Sequence, residues 1–273
     1  VKSISSSTLS TDKPIVCLTF DDGYLTDYTT LKPFLESRGI VGTCFIHDES
    51  RSGRITNEQI IEMAANGWEF GSHTKNHVHF GEQAARPVTL GSPYIEVITS
   101  AGRNYFKMDN VSELKFYIND GSSGIYEFSA IASEVTSNDT IRLTLSTPAT
   151  FQTSINRSLW LHEESIRLLA IPPKERIESL GIQCNGFAYT WGGYTNTSKS
   201  VIRQLFGYGR GAKAGTDGAT VEAGLFEGDY YPVDQHVIMS TELIDMSSAQ
   251  MDEAIVELKA RKGLLIILGH TSS

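Results

Sequence analysis

Residues 16–24 read VCLTFDDGY, a short apolar run that ends in two adjacent carboxylates, Asp21 and Asp22, and a glycine. This pattern predicts a buried strand that delivers two acidic groups to the edge of a sheet. Further along, residues 68–77 read WEFGSHTKNH, in which a strand-like run leads into His73 and His77. Imidazole and carboxylate groups suit zinc and its borderline neighbours, so the two segments together predict a metal site.

Each segment alone has a plainer interpretation. Residues 21–23 can be only a turn, and the two histidines can be unrelated surface residues. Together, two histidines and one carboxylate can occupy one side of a divalent ion and leave positions for water and substrate. That is the arrangement of a catalytic metal site, and the second aspartate would be free to act as a base.

Strands and helices alternate around these segments. The pattern predicts a helix over 27–38, a strand over 41–46, and a capping box at 56–59 that opens the next helix. Such alternation implies a parallel sheet, in which active-site residues collect at the C-terminal ends of the strands.

The pattern changes between residues 87 and 155. Strand-like runs at 94–99, 105–108, 113–118, 125–135 and 140–145 are separated by clusters of Gly, Asn, Asp and Ser, which predicts an antiparallel β unit. Helical patterns then return at 159–169 and 173–180, and Pro172 and Pro173 are expected to kink or separate the two helices. We therefore predict an α/β domain formed by 1–86 and 156–273, with an inserted β domain at 87–155.

Composition excludes some classes of partner. The net charge is −9 and no Lys or Arg cluster is present, which argues against nucleic acid or an anionic membrane as the main partner. No stretch is long enough for a membrane span. The three cysteines fit small buried hydrophobes, with one disulfide pair as the alternative. The opening residues lack an initiator Met and an apolar signal core, so we expect a piece of a longer protein.

Taken in order, the motifs resemble those of the polysaccharide deacetylases of carbohydrate esterase family 4, which share the NodB homology domain. That family opens with TFDDG, follows with His-Ser/Thr-x-x-His, and ends with a strand leading to a catalytic histidine. The matching residues here are 19–23, 73–77 and 264–270, the last reading LLIILGH. The resemblance covers roughly 14–86 and 156–273, and it implies a distorted (β/α) barrel of the NodB type.

The resemblance also implies a function and its residues. The expected activity is metal-dependent hydrolysis of acetyl groups on a polysaccharide, with an N-acetyl or O-acetyl group as alternatives. Asp22, His73 and His77 would hold the ion, which is expected to be zinc, with cobalt or nickel as alternatives. Asp21 would take a proton from water, and His270 would protonate the leaving group.

The third motif of the family departs from its usual form. Residues 187–194 read FAYTWGGY, with Thr190 where Pro is expected. The Arg of the other common form, which positions the base aspartate, is missing. Arg210 is a candidate replacement.

Other candidate residues flank this motif. Tyr189, Trp191 and Tyr194 are expected to form an aromatic wall for a sugar ring, with core packing as the alternative. Asp234 is a candidate for the acid that tunes the final histidine. His47 and His79 lie near the motifs without a matching ligand position, so we assign them to outer or surface roles.

The expected partner is therefore an acetylated glycan, and the expected location is extracellular, on a cell surface or on a virion. The alternative function is a glycan-binding module without catalysis, such as part of a surface or phage tail protein.

Overall fold

A computed structural model gives the structure of the protein. It describes residues 13–48, 52–99, 105–109, 111–121, 124–212, 225–226, 235–236, 238–242, 247–261 and 264–270.

Strands are numbered along these described residues. They are β1 (Ile15–Asp21), β2 (Thr43–Ile46), β3 (Glu69–Ser72), β4 (Gln83–Ala85), β5 (Tyr94–Ile98), β6 (Leu114–Asn119), β7 (Ile125–Ser137), β8 (Thr140–Leu145), β9 (Arg157–Leu161), β10 (Gly186–Ala188), β11 (Tyr208–Ala212), β12 (Leu225–Phe226), β13 (Ile238–Glu242) and β14 (Leu264–Gly269). The helices are a π-helical turn at Asp27–Leu31, α1 (Lys32–Glu36), α2 (Asn57–Ala65), α3 (Glu163–Ser179), α4 (Asn196–Leu205) and α5 (Ser248–Arg261).

The α/β part is a ring of parallel strands in the order β1-β2-β3-β10-β11-β13-β14, and β14 pairs back with β1. β14 is a continuous apolar run that is buried along most of its length, as expected for a parallel strand covered on both faces. The short β12 joins β14 in the antiparallel direction. The predicted fold class, a distorted α/β barrel with an antiparallel β unit inserted, is confirmed.

The inserted unit is a closed antiparallel barrel with the strand order β4-β5-β8-β7-β6-β9. Closure leaves no open sheet edge within the described strands. The barrel extends from Gln83 to Leu161, whereas the sequence pattern placed the insert at 87–155. The difference arises because β4 and β9, which pair with each other and close the barrel, lie just outside the predicted limits.

Three local predictions differ from the structure. The predicted helix at 159–169 is wrong at its start, since residues 159–161 belong to β9. A single helix, α3, begins after His162 and continues through Pro172 and Pro173, so of the two predicted alternatives the separation is wrong and the kink stays a prediction. Residues 105–108, predicted as a strand, form a turn followed by residues without regular secondary structure, and they do not join the barrel sheet.

One hydrophobic core continues from the ring into the barrel. Phe80, beyond β3, stacks on Phe187 of β10 with ring centroids 5.5 Å apart. Phe106 packs edge-on against Phe116 of β6 at 5.1 Å. Because one cluster of buried residues includes both of these pairs, the two parts of the chain share a core.

The three cysteines are free, as expected, with Cys44 and Cys184 buried and Cys17 partly buried. Among the helices of the described residues, none has the length and apolarity needed to cross a membrane.

Candidate active site

The two aspartates lie where β1 leaves the ring. Asp21 is the last residue of β1, and Asp22 and Gly23 follow with φ of 73° and 61°. A Cβ on Gly23 would lie 2.7 Å from Cγ2 of Ile46, so the turn requires glycine for space as well as for backbone conformation. This tight turn holds the carboxylate of Asp22 at the mouth of the ring.

The histidine motif lies in a strained loop after β3. Thr74, Asn76 and His77 have φ of 63°, 59° and 56°, in the left-handed region that non-glycine residues seldom adopt. Such conformations persist only where the surroundings hold them, and they concentrate at functional sites.

The inserted unit helps to hold this loop. The backbone N–H of His79 donates to the carbonyl oxygen of Tyr105 at 2.8 Å. The amide of Asn76 donates to the carbonyl oxygen of Asp109. Both acceptors belong to the segment between β5 and β6, so the insert braces the loop that carries His77.

Three imidazoles converge on one carboxylate oxygen, Oδ1 of Asp22. The Nε2 atoms of His47, His77 and His73 lie 3.0, 3.5 and 3.8 Å from it. Nε2 of His73 is also 3.6 Å from Oδ2 of Asp21. Within the described residues, Asp22, His47 and His77 offer ligand atoms that all lie within 4.8 Å of one another.

Second contacts orient the rings of His73 and His47. Nδ1 of His73 lies 3.0 Å from the carbonyl oxygen of Ala188, and Nδ1 of His47 lies 2.9 Å from that of Thr74. A carbonyl oxygen only accepts, so each Nδ1 carries the hydrogen and each Nε2 is turned towards Asp22. Metal-binding histidines are usually fixed in this way by their other ring nitrogen.

The protonation states suit a divalent ion. Burial lowers the pKa of His73 to about 3, and burial together with the neighbouring His73 lowers the pKa of His77 to about 2. Burial by itself would raise the pKa of Asp22, but the close contact of its carboxylate with His47 and the attraction of its charged form to the imidazole groups around it hold the pKa well below its usual value. Neutral imidazoles beside an ionised carboxylate are the forms that bind a metal, so the residues fit one.

A buried ion pair holds the other aspartate. Nη2 of Arg210, on β11, donates to both Oδ1 and Oδ2 of Asp21 at 2.5 Å. Nη1 of the same guanidinium donates to Oγ of Ser240 at 3.1 Å. Arg210 and Asp21 are only 2% and 3% exposed, which means that the guanidinium compensates a carboxylate almost fully removed from water.

A cavity of about 280 Å³ opens in front of these groups. Its lining residues are Asp21, Asp22, His73, His77, Tyr189, Trp191, Gly192, Ala212, Leu268 and His270. His270 follows β14 and is exposed to solvent. β14 pairs in parallel with β1, so the final histidine and the two aspartates reach the same end of the ring.

The three aromatic residues of the predicted wall lie in different surroundings. Trp191 lines the cavity in a left-handed conformation, with φ of 50°, and packs edge-on against His77 at 4.1 Å and Tyr105 at 4.8 Å. Tyr189 also lines the cavity but is fully buried. Tyr194 is 41% exposed, packs on Tyr189, and is not among the lining residues.

Two further residues, Asp234 and His47, were given roles from the sequence. Asp234 lies outside the described residues. His47, assigned from sequence to an outer or surface role, is buried at the site itself. The available signal was its position directly after β2, because β2 lies between the strands that carry Asp22 and His73.

Part of the chain matches a known protein family. Residues 8–95 match the family model "Polysaccharide deacetylase". The matched range contains Asp21, Asp22, His73 and His77 but not Arg210 or His270. The resemblance drawn from the motifs is confirmed, and the class of enzyme that it supports is a deacetylase.

A curated relative matches over a shorter segment. A Bacillus subtilis protein that carries the provisional name polysaccharide deacetylase is 38% identical over 65 residues, which is 23% of this chain and 23% of the relative. The chain therefore matches less than a quarter of that relative's length.

Two solved structures are among those that match the chain. A Streptococcus pyogenes deacetylase in complex with acetate has a TM-score of 0.46 and 14% identity, over 87% of this chain and 69% of the other. A family 4 carbohydrate esterase from Streptomyces lividans, also with acetate, has a TM-score of 0.41 and 13% identity, over 93% and 91%.

Proposed function

We propose that this protein is a metal-dependent hydrolase that removes acetyl groups from a polysaccharide. The observation that carries the proposal is the convergence of three imidazole nitrogens on Oδ1 of Asp22, beside a second aspartate held by a buried arginine. The match of residues 8–95 to the deacetylase family supports the same reaction class.

Asp22, His73 and His77 would hold the ion. A divalent ion bound in such a site lowers the pKa of water and places positive charge beside a developing oxyanion. Zinc suits this ligand set, and cobalt and nickel accept the same ligands.

Asp21 is the proposed general base. Both of its oxygens accept from Arg210, which fixes the plane of the carboxylate, and each oxygen keeps a further lone pair for a water proton. Asp21 lines the cavity, so a water there lies within its reach.

His270 is the proposed general acid. It lines the same cavity, and it is exposed, so it can exchange protons with solvent between turnovers. Its proton would pass to the leaving nitrogen or oxygen as the bond to the acetyl carbon breaks.

The substrate is proposed to be a neutral or weakly charged acetylated glycan. Trp191 offers an aromatic surface at the cavity wall, and the C–H faces of sugars pack on such surfaces. A protein of net charge −9 is not suited to strongly anionic polymers.

Acetate release from acetylated xylan and from chitin oligomers tests the proposal, with zinc or cobalt added to chelator-treated protein. Asp21→Asn and His270→Ala should each lower the rate by roughly 10²–10⁴-fold. The matched control is Asp252→Asn, which removes an exposed carboxylate on α5 and should leave the rate unchanged. Glycan binding without acetate release under every metal condition would instead establish the non-catalytic binding module.

A further inference from the structure

His47 occupies a position equivalent to that of His73 on the neighbouring strand. β2 and β3 pair in parallel, with Ile46 opposite Ser72, so the next residue of each strand is a histidine. The N–H of His73 donates to the carbonyl oxygen of Ile46 at 2.9 Å and continues the ladder past the strand ends. The two imidazole rings therefore lie side by side, with centroids 5.4 Å apart.

The contacts of His47 leave its Nε2 facing a group that cannot donate. Nδ1 carries the hydrogen because the carbonyl oxygen of Thr74 only accepts. In a neutral ring, Nε2 is then a lone pair, and it lies 3.0 Å from Oδ1 of Asp22, an oxygen that also only accepts. His47 is 6% exposed, so solvent does not reach far between them. The pair is satisfied by a cation that both atoms contact, or by a second proton on the ring.

The separations of His47 and His77 from Asp22 fit ligands of a single ion. Within the described residues, Asp22, His47 and His77 offer ligand atoms that all lie within 4.8 Å of one another, a group that does not include His73. Two atoms each about 2.0–2.1 Å from one ion lie roughly 2.9 Å apart at a right angle and roughly 3.4 Å apart at the tetrahedral angle. Oδ1 of Asp22 lies 3.0, 3.5 and 3.8 Å from the Nε2 atoms of His47, His77 and His73. The 3.0 Å separation is close to the right-angle value and the 3.5 Å separation is close to the tetrahedral value, whereas 3.8 Å corresponds to a wider angle.

A second proton on His47 is the competing explanation. An imidazolium there would place positive charge against Asp22, the only carboxylate in the proposed ligand set, and would repel a divalent ion at the same oxygen. A neutral His47 adds a ligand without that repulsion, and its ring is already oriented by Thr74.

We propose that Nε2 of His47 coordinates the same ion as Asp22, His73 and His77, which makes the site one of three imidazoles and one carboxylate. Four protein ligands close a tetrahedral site, so catalysis requires a coordination number above four to admit water. The inference rests on the metal site of the proposed function, but not on acetyl hydrolysis.

Cobalt-loaded protein tests the number of histidine ligands directly. In such protein, each coordinated histidine whose Nδ1 bears a hydrogen gives a paramagnetically shifted N–H resonance. His47 and His73 donate from Nδ1 to buried carbonyl oxygens, so their resonances should exchange slowly with solvent. His47→Gln should lose one resonance and bind cobalt at least roughly 10-fold more weakly.

His162→Asn is the matched control. His162 accepts from the N–H of Glu164 at the start of α3, where asparagine is also a good cap, so this variant should keep every resonance and the wild-type affinity. X-ray absorption of the wild-type cobalt protein should show three imidazoles, a readout that does not depend on any variant folding.

Two imidazoles in the wild type, or an unchanged set of resonances in His47→Gln, would overturn the inference. If the wild-type protein released acetate in that case, the proposed function would stand. Failure of the wild type to bind cobalt at all would overturn both.

Discussion

Replacing Arg210 by methionine removes the guanidinium and keeps a side chain of similar length. The change leaves the carboxylate of Asp21, which is 3% exposed, without the cation that lies 2.5 Å from both of its oxygens. Removing one partner of a buried ion pair destabilises a protein by about 3–5 kcal/mol. We expect a loss of this size in the free energy of unfolding of the metal-free protein.

Urea unfolding in chelator measures the loss, and a double-mutant cycle assigns its cause. Asp21→Asn removes the charge that Arg210→Met leaves unpaired, so the double variant should be more stable than the sum of the single changes predicts, by about 1–3 kcal/mol. Arg203→Met, at an exposed arginine on α4, is the matched control, and it should change stability by no more than about 1 kcal/mol, the range of exposed charged contacts.

The Arg210→Met variant should also lose activity, because Asp21, the proposed base, would no longer be held in position. Arg210 does not line the cavity, so its removal should lower kcat by about 10²-fold with a smaller change in KM, the effect of a misplaced catalytic group. An additive cycle, together with a stability loss below about 1 kcal/mol, would refute the proposal that Arg210 holds Asp21.

Three further predictions concern protonation, backbone conformation and metal. Burial lowers the pKa of His73 to about 3 and of His79 to about 4, below their value of 6.5 in the unfolded chain. The metal-free protein should therefore lose up to about 1.4 kcal/mol per pH unit for each group as pH falls below 6.5, and a flat profile in urea unfolding from pH 7.5 to 5 would contradict this. Gly192→Ala should lower the thermal midpoint far more than Gly39→Ala, since both glycines have φ of +68° but only at Gly192 would the new Cβ meet backbone, at 2.2 Å; equal shifts would contradict it. Chelator should lower the midpoint of the wild type but not of Asp22→Asn, and equal responses would count against the site.

The parts of the fold that could be predicted are those with a local signal. The capping box of Thr56 and Gln59 begins α2 as expected, with both of its hydrogen bonds present. The apolar run at 264–270 forms β14 and ends at His270. In both cases, spacing along the chain determines the structure directly.

Other features depend on contacts that no local pattern records. Arg210 reaches Asp21 from β11, a strand that is not a neighbour of β1 in the ring, and the sequence does not state this arrangement. Pro172 and Pro173 remain inside α3, where local preference predicts a break. The helix packs on the ring, and Oγ of Ser72 donates to the carbonyl oxygen of Ala170 just before the prolines, so tertiary contacts outweigh the local preference.

His47 shows why the ligand set is harder to predict than the strands. A histidine after a strand is common, and only the order β1-β2-β3 brings this one beside Asp22. Motif spacing is measured along the chain, whereas the site is assembled across adjacent strands.

The brace between the insert and the histidine loop limits how far the protein can be shortened. The carbonyl oxygens of Tyr105 and Asp109, which accept from His79 and Asn76, both belong to the inserted six-stranded barrel unit. A minimal enzyme made by joining residue 82 to residue 162 would keep every proposed ligand in its sequence, yet its loop would lack both anchors. A shortened version of the protein should therefore retain the inserted unit or replace its two carbonyl groups.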